Sequence, residues 1–252
     1  MTYVIAHRGN SAAAPENTFA SFESAIAAGA RHVECDVQMT RDGRIVVIHD
    51  PTLARTAGRD GDVRTLSLAE VKDADASYAS QFGTAFAPQR VPTLQELLDF
   101  VKGRAQLLIE IKADSSKADD DVFERRIAAD VIKSGARLTA GDDTEVGFVS
   151  FSTPILERMA GILPDVPRGH IFYREAEDAI LAAAVRAKAG FVMPEKGHLL
   201  PSLMKRAVDD GLRMATWVCD DPQEFARLST MGLLGIATNR PAEMLAASPA
   251  SA

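Results

Sequence analysis

Glu34 and Asp36 stand two residues apart in the run His32–Gln38, so on a strand they project from one face while Val33, Cys35 and Val37 project from the other. Glu110 and Lys112 repeat the pattern in Gln106–Lys112, where Leu107, Ile109 and Ile111 form the apolar face. An apolar face packs on helices, which turns the three carboxylates and the ammonium toward a common interior. Carboxylates gathered there raise one another's pKa unless a cation neutralises them. A set of oxygen donors suits Mg²⁺ or Ca²⁺ rather than zinc. The competing reading is an internal salt-bridge network around Lys112, although one lysine cannot balance three buried carboxylates.

Two histidines flank this cluster. His7 closes the apolar run Tyr3–Ala6, and His49 closes the run Ile45–Ile48. A single histidine at a strand end is commonly a rim residue, whereas two beside a carboxylate cluster read as a general acid and a general base. Arg8 offers a planar fork for phosphate oxygens, and Pro15-Glu16-Asn17-Thr18 leads into a helix whose N-terminus favours anions. Capping alone would explain Asn17 or Thr18. Trp217 ends a strand with its direction open. His32 reads as structural, His170 as a core or rim residue, and His198 as a loop residue on the same side as the cluster. Cys35 reads as core packing, and Cys219 has no base partner, which argues against a cysteine nucleophile.

The elements that must position these groups alternate between strand and helix. Candidate strands are 3–6, 32–38, 106–112, 146–151, 169–173, 190–194, 213–218 and 235–238, each followed by a segment of helical period. The first helix shows Phe19, Phe22 and Ile26 on one face and stops at Gly29; later ones cover 94–101, 121–133, 154–159, 176–188, 200–210, 222–231 and 241–245. Eight such units in 252 residues fit an α/β fold of the (β/α)8 TIM-barrel type, formed as one domain over residues 1–247. The competing doubly wound sheet lacks a Gly-rich loop after its first strand. The run Ile45–Ile48 follows its predecessor too closely for a parallel crossover, and Asp42-Gly43 marks a hairpin, so it returns antiparallel. A turn centred on Asp42-Gly43 sets His49 roughly opposite Asp36. Residues 51–90 are rich in Gly, Asp, Arg, Ser and Ala, with one short helix near 68–73, and read as a small insertion after the second strand, over the barrel mouth. Its large apolar candidates are Leu66, Phe82 and Phe86, and the tail 248–252 is expected to fray.

Composition narrows the function classes. Against 28 Lys+Arg stand 35 Asp+Glu, a net charge of −7, which argues against a broad nucleic-acid or anionic-membrane surface. Two cysteines are too few for a disulfide framework and favour a reducing compartment. The start shows neither the basic region nor the ~7–15 apolar residues of a signal peptide, and no run reaches the ~18 apolar residues of a membrane span. The expectation is a cytoplasmic protein without stable membrane association; homo-oligomer formation stays open.

Taken together, the segments His7-Arg8-Gly9, Pro15-Glu16-Asn17-Thr18, Glu34-Cys35-Asp36-Val37, Thr40-Arg41-Asp42-Gly43, Val46-Val47-Ile48-His49-Asp50, Glu110-Ile111-Lys112 and Trp217 resemble the glycerophosphodiester phosphodiesterase family. The likeness runs from His7 almost to Met244, and it looks like the bacterial cytosolic branch. The resemblance implies a barrel that hydrolyses glycerophosphodiesters to sn-glycerol 3-phosphate and an alcohol. It also implies one divalent cation, Mg²⁺ or Ca²⁺, held by Glu34, Asp36 and Glu110, with His7 and His49 as the acid–base pair. Arg8 and Lys112 would bind the phosphate, Trp217 would border the small-molecule glycerophosphodiester substrate, and residues 51–90 would shape the entrance for the alcohol. Two places depart from the family pattern: Thr238-Asn239-Arg240-Pro241 where relatives often read Thr-Asp-x-Pro, and Trp217-Val218-Cys219-Asp220 where many read Trp-Thr-Val-Asn. Neither touches the acid–base or cation positions, so they bear on substrate preference. Alternatives on the same barrel are a lysophospholipase D-type lipid phosphodiesterase, a barrel that only binds, and a metal-dependent aldolase or sugar isomerase.

Overall fold

Short apolar runs become the staves of a barrel in the computed structural model, which describes residues 2–115, 121–138 and 145–247. The expected frayed tail 248–252 lies outside the described residues. The first strand β1 (Tyr3–Ala6) is followed by α1 (Phe19–Ala27), β2 (His32–Met39) and β3 (Ile45–Val47). Three short helices come next: α2 (Ala54–Ala57), α3 (Leu68–Asp73) and α4 (Ala79–Phe82). Strand and helix then alternate: α5 (Leu94–Val101), β4 (Gln106–Ile111), α6 (Val122–Ser134), β5 (Val146–Ser150), α7 (Thr153–Ile162), β6 (Arg168–Phe172), α8 (Glu177–Arg186) and β7 (Phe191–Pro194). The last units are α9 (Pro201–Asp209), β8 (Arg213–Met214), α10 (Pro222–Ser229), β9 (Gly235–Thr238) and α11 (Pro241–Ala247). Polar residues ahead of the helices satisfy their first amides: Thr18 caps α1, Thr93 and Glu96 form a capping box on α5, and Asp221 caps α10.

The parallel strands run in the order β8-β7-β6-β5-β4-β2-β1-β9, with β3 paired antiparallel to β2 outside this path. The ring closes between β8 and β9 through the single parallel bridge of Thr216 with Ile236 and the bonds around it, Thr216 N to Gly235 O at 3.1 Å and Ala237 N to Thr216 O at 2.9 Å. This is the (β/α)8 barrel that the alternation predicts. The eighth stave is shorter than the expected 213–218, because beyond Met214 the chain divides its bonds between two neighbours: Ala215 N donates to Val192 O, and Thr216 bonds to β9.

Side-chain alternation separates two apolar layers. Val33, Cys35, Val37, Leu107, Ile109 and Ile111 pack outward against Phe22, Leu94, Leu97 and Phe123 of the helices. Ile5, Val149, Ile171, Phe191, Met193 and Ala237 fill the barrel interior. Residues 51–90 build a small cluster of their own on the outer face of β3, in which Leu53, Val63 and Val71 meet Val46 and Ile48. Among the described residues, no helix is long and apolar enough to cross a membrane.

The hairpin register differs from the expected one by a single residue. Val37 pairs with Val47, and Ile48 N donates to Asp36 O at 2.9 Å, so Ile48 rather than His49 lies across from Asp36. The loop holds three residues, Arg41-Asp42-Gly43: Thr40 N bonds Arg44 O, Gly43 N bonds Thr40 O, and Gly43 takes φ +72°. Such a loop centres the hairpin on Asp42 and moves every partner by one.

At the opposite end of β2, His32 stacks on Tyr3 with ring centroids 4.2 Å apart. Burial pushes its pKa down to about 4, outweighing a hydrogen bond to Gln106 that raises it. The folded state therefore holds a neutral ring where the unfolded chain titrates near 6.5. The resulting stability is present above pH 6.5 and is lost as the pH falls toward 4. His32→Phe, which keeps the stack but cannot titrate, is expected to flatten the decline of Tm across that window. Parallel loss of Tm in both proteins would remove His32 as the cause.

Candidate active site

His7, Arg8, Glu34, Glu110, Lys112 and His49 line one cavity of about 520 Å³ at the C-terminal ends of the strands, with Trp217 on its far wall. Asp36 lies fully buried just beneath, within reach of Arg8 and Lys112. The candidates for acid–base chemistry, cation binding, phosphate binding and the substrate border thus all sit in or directly under one space.

The carboxylates come from neighbouring staves, since Asp36 and Glu110 are register partners on β2 and β4. One oxygen each from Glu34, Asp36 and Glu110 can be chosen so that all lie within 4.8 Å of one another, and all three residues are buried. Their electrostatic states differ. Burial raises Asp36, but Lys112 at 2.8 Å and Arg8 at 3.0 Å outweigh it and hold this carboxyl far below the usual carboxylate range. Burial, then Asp36 and Glu110, push Glu34 well up. Burial and Asp36 push Glu110 up to about 7 despite its ion pair with Lys112. Glu34 Oε2 accepts the Arg8 amide at 3.0 Å, while its buried Oε1 faces no donor among the described residues. Three carboxylates against Arg8 and Lys112, with one orphaned carboxylate oxygen, leave an oxygen set able to hold a divalent cation. A salt-bridge network around Lys112 is present too, but it satisfies Asp36 and leaves Glu34 uncompensated.

Local backbone geometry aims the first of these groups. Arg8 adopts φ +56° and Gly9 φ +81° in the turn after β1. A Cβ on Gly9 would fall 2.6 Å from the Ser21 backbone carbon, so only glycine lets this turn lie against α1. The packed turn sends the Arg8 side chain under the cavity, where Nε meets Asp36 and Nη1 meets Glu16. Thr18 is the α1 cap; Asn17, at φ +57°, instead donates from Nδ2 to Asp36 Oδ2 at 2.8 Å and accepts the Asp36 amide on Oδ1. Capping, the reading offered for Asn17, thus falls to Thr18, and Asn17 orients the Asp36 carboxylate, a role the sequence reading did not include.

Both imidazoles are held by Nδ1. His7 Nδ1 lies 2.7 Å from Asn239 Oδ1, and His49 Nδ1 lies 2.7 Å from Asp50 Oδ1. Burial, with Arg8 adding to it, pushes His7 down to about 4. Burial also lowers His49, partly offset by Asp36. Asp50 is itself clamped by Arg55, which bridges on to Glu16, and Glu16 returns to Arg8. Despite its burial, Asp50 is held at about 2 by Arg55 and His49. Gln38 Nε2 fixes the His49 carbonyl at 3.2 Å. The sequence reading did not single out Asp50, Arg55 or Gln38; the alternation on β2 that turned Glu34 and Asp36 inward carries Gln38 inward as well.

The far wall is aromatic. Trp217 faces inward, its Nε1 donating to Met193 O at 3.0 Å. Its ring stands edge-on to Phe151 and Tyr173, which stack on each other at 5.5 Å. Tyr173 is 56% and Phe151 39% exposed, so both offer apolar surface to whatever fills the cavity. Neither was singled out in the sequence, although each is the residue just past a strand end. The remaining histidines stand apart: His170 Nε2 pairs with Thr153 Oγ1 at 2.9 Å, and His198 lies edge-on to Phe172, outside the cavity lining.

A family model described as the glycerophosphoryl diester phosphodiesterase family matches residues 7–243. A glycerophosphodiester phosphodiesterase of Caldanaerobacter subterraneus subsp. tengcongensis is 32% identical over 97% of this chain and 96% of that protein. Among solved structures, a glycerophosphodiester phosphodiesterase from Agrobacterium tumefaciens str. C58 matches with TM-score 0.81 and 27% identity, over 98% of this chain and 100% of the other. A phosphodiesterase from Oleispira antarctica, solved in complex with the product sn-glycerol-3-phosphate, matches with TM-score 0.84 and 25% identity, over 98% and 96% of the two chains.

Proposed function

The chain belongs to the glycerophosphoryl diester phosphodiesterase family and hydrolyses glycerophosphodiesters, and from that premise we propose that His7 and His49 perform its acid–base chemistry beside a divalent cation held by Glu34, Asp36 and Glu110. The observation that carries this reading is the convergence of both imidazoles, the carboxylate cluster and two cationic side chains on one cavity. The product sn-glycerol 3-phosphate, seen bound to the Oleispira antarctica enzyme, matches the chemistry of such a cavity.

One histidine takes the proton from the glycerol hydroxyl that attacks phosphorus, and the other gives a proton to the departing alkoxide. The cyclic phosphate so formed is opened by water with the two roles reversed. Arg8 and Lys112 neutralise charge that gathers on the phosphoryl oxygens and orient them. The cation, Mg²⁺ or Ca²⁺ by its oxygen donors, supplies Lewis-acid polarisation of the same oxygens when bound. Trp217 borders the substrate, and residues 51–90, tied to the site through Arg55 and Asp50, shape the entrance for the alcohol. Both free cysteines are buried, which suits a cytoplasmic setting.

The exposed rings of Phe151 and Tyr173 favour one second reading, a lysophospholipase D-type phosphodiesterase whose substrate carries an apolar chain. The deciding experiment strips metal from the protein and measures glycerol 3-phosphate release from glycerophosphocholine and glycerophosphoethanolamine, before and after Mg²⁺ or Ca²⁺ is restored. Release that returns with metal is expected. Head-group release from lysolipids alone would move the assignment to the second reading, and release indifferent to metal would remove the cation from it.

A further inference from the structure

We infer that Asp220 and Asn239 form a relay of positioning residues that fixes the tautomer of His7, leaving its Nε2 without a proton toward the cavity. The inference rests on the catalytic role proposed for His7 and adds to it two residues that touch no substrate.

The argument is one of hydrogen-bonding capacity. Asp220 accepts three times: Oδ1 from the Asn239 amide at 2.7 Å and from Thr238 Oγ1 at 2.9 Å, and Oδ2 from Asn239 Nδ2 at 2.7 Å. An ionised carboxylate has no proton to give. The end of the Asn239 side chain facing Asp220 must therefore be its NH₂; a flipped amide would set two oxygens against each other at 2.7 Å. With the amide so oriented, its Oδ1 faces His7 Nδ1 at 2.7 Å, and Ser11 Oγ lies 2.9 Å from the same oxygen. An amide oxygen only accepts, so His7 Nδ1 carries the proton. In the neutral ring the lone pair is then on Nε2.

The charge of the relay distinguishes the two histidines. His49 Nδ1 meets the Asp50 carboxylate directly, a contact that works toward the imidazolium, although burial still lowers the ring on balance. His7 meets a neutral amide, and its anion stands one hydrogen bond further away. The other charged groups around His7 are Arg8 from the turn after β1, Asp36 from β2 and Lys112 at the end of β4. With its Nδ1 proton committed to Asn239, the His7 ring has its lone pair on Nε2 and is equipped to receive a proton there, here from the attacking glycerol hydroxyl.

The test reads the tautomer itself. In ¹⁵N-labelled protein near pH 7, the His7 imidazole is expected to show its proton on Nδ1; a proton on Nε2 in the wild-type protein overturns the inference whatever any variant does. Asn239→Leu removes the acceptor. It is expected to populate the Nε2–H form and to lower kcat about 10²–10⁴-fold with KM within about twofold, the pattern of a ring in the wrong tautomer. The reciprocal pair Asp220→Asn with Asn239→Asp restores an acceptor toward Nδ1 and is expected to return the Nδ1–H signal and at least about tenfold of the lost kcat. If Asn239→Leu folds and keeps both the Nδ1–H signal and wild-type kcat, the relay is refuted. Should Asn239→Leu fail to fold, Asp220→Ala serves in its place: an unchanged tautomer and rate there refute the relay equally. The spectroscopic readout needs no substrate, so failure of the proposed reaction and failure of the relay are separately visible.

Discussion

His7→Ala and His49→Ala are each expected to lower kcat by about 10²–10⁴, the usual worth of a positioned general acid or base. The fold is expected to tolerate both changes, because neither ring belongs to the buried apolar core: His7 sits past the end of β1 and His49 past the end of β3. What each variant removes is the side chain that carries a proton at the reacting centre. KM is expected to change little, since phosphate binding falls to Arg8 and Lys112. Steady-state kinetics on glycerophosphocholine, with thermal melts to verify folding, give the comparison. The double variant is expected to cost far less than the product of the two single losses, because a missing acid leaves the base little to accomplish. Near-normal turnover in both single variants would end the acid–base assignment.

The carboxylates are expected to split in sign when stability rather than rate is measured. In metal-free buffer near pH 8, Glu34→Gln melts above the wild-type protein and Asp36→Asn melts below it. Glu34 has its pKa raised by burial and by its neighbours, so the folded state prefers it protonated. As an ionised group at pH 8 it opposes folding, and replacement with a neutral amide relieves that opposition. Glu110, held near 7, behaves likewise but more weakly, since its destabilising effect grows as the pH rises from about 4.5 through 7. Asp36 is the reverse. Its pKa is depressed despite burial by Lys112 and Arg8, so the stability it confers is complete above its unfolded pKa of about 3.8. Asp36→Asn strips two buried cations of their shared partner, at a cost of roughly 3–5 kcal/mol. All three amide variants are expected to lose the metal-induced rise in Tm, which in the wild-type protein reports a stabilisation of about 2.7 kcal/mol at a hundredfold excess over Kd. Melts with and without Mg²⁺ or Ca²⁺ decide it, and a full wild-type rise in every variant would reject the cation site.

Much of this site is legible in the sequence because strand alternation is a two-state rule. Once Val33, Cys35 and Val37 are known to face helices, Glu34 and Asp36 have only the lumen left, and the same holds for Glu110 on β4. Chain order and the eight repeated units carry the barrel in the same way. Register is less legible, since it depends on loop conformation. A two-residue and a three-residue loop share the letters Asp42-Gly43, and the difference moved the partner of Asp36 from His49 to Ile48. The groups that orient the histidines were illegible for another reason. Arg55 reaches Glu16 across 39 positions and Asn239 reaches His7 across 232, and no periodicity links such residues. The core of residues 51–90 escaped notice because its members, Leu53, Val63 and Val71, are scattered singly and complete an apolar patch only when laid on Val46 and Ile48.

The two walls of the cavity come from different stretches of chain. His7, Arg8, Glu34, His49, Glu110 and Lys112 all precede residue 113, whereas Phe151, Tyr173 and Trp217 all follow residue 150. Under the proposed roles, the first half of the barrel holds the groups that make and break the bond, and the second half presents the aromatic wall that the departing alcohol meets beside the entrance formed by residues 51–90. Such a division makes the two properties heritable apart. A lineage can exchange one alcohol for another by altering Phe151, Tyr173 and the loops that carry them, with the reacting half left as it is, so long as Asp220 and Asn239, which hold His7 from the second half, are kept.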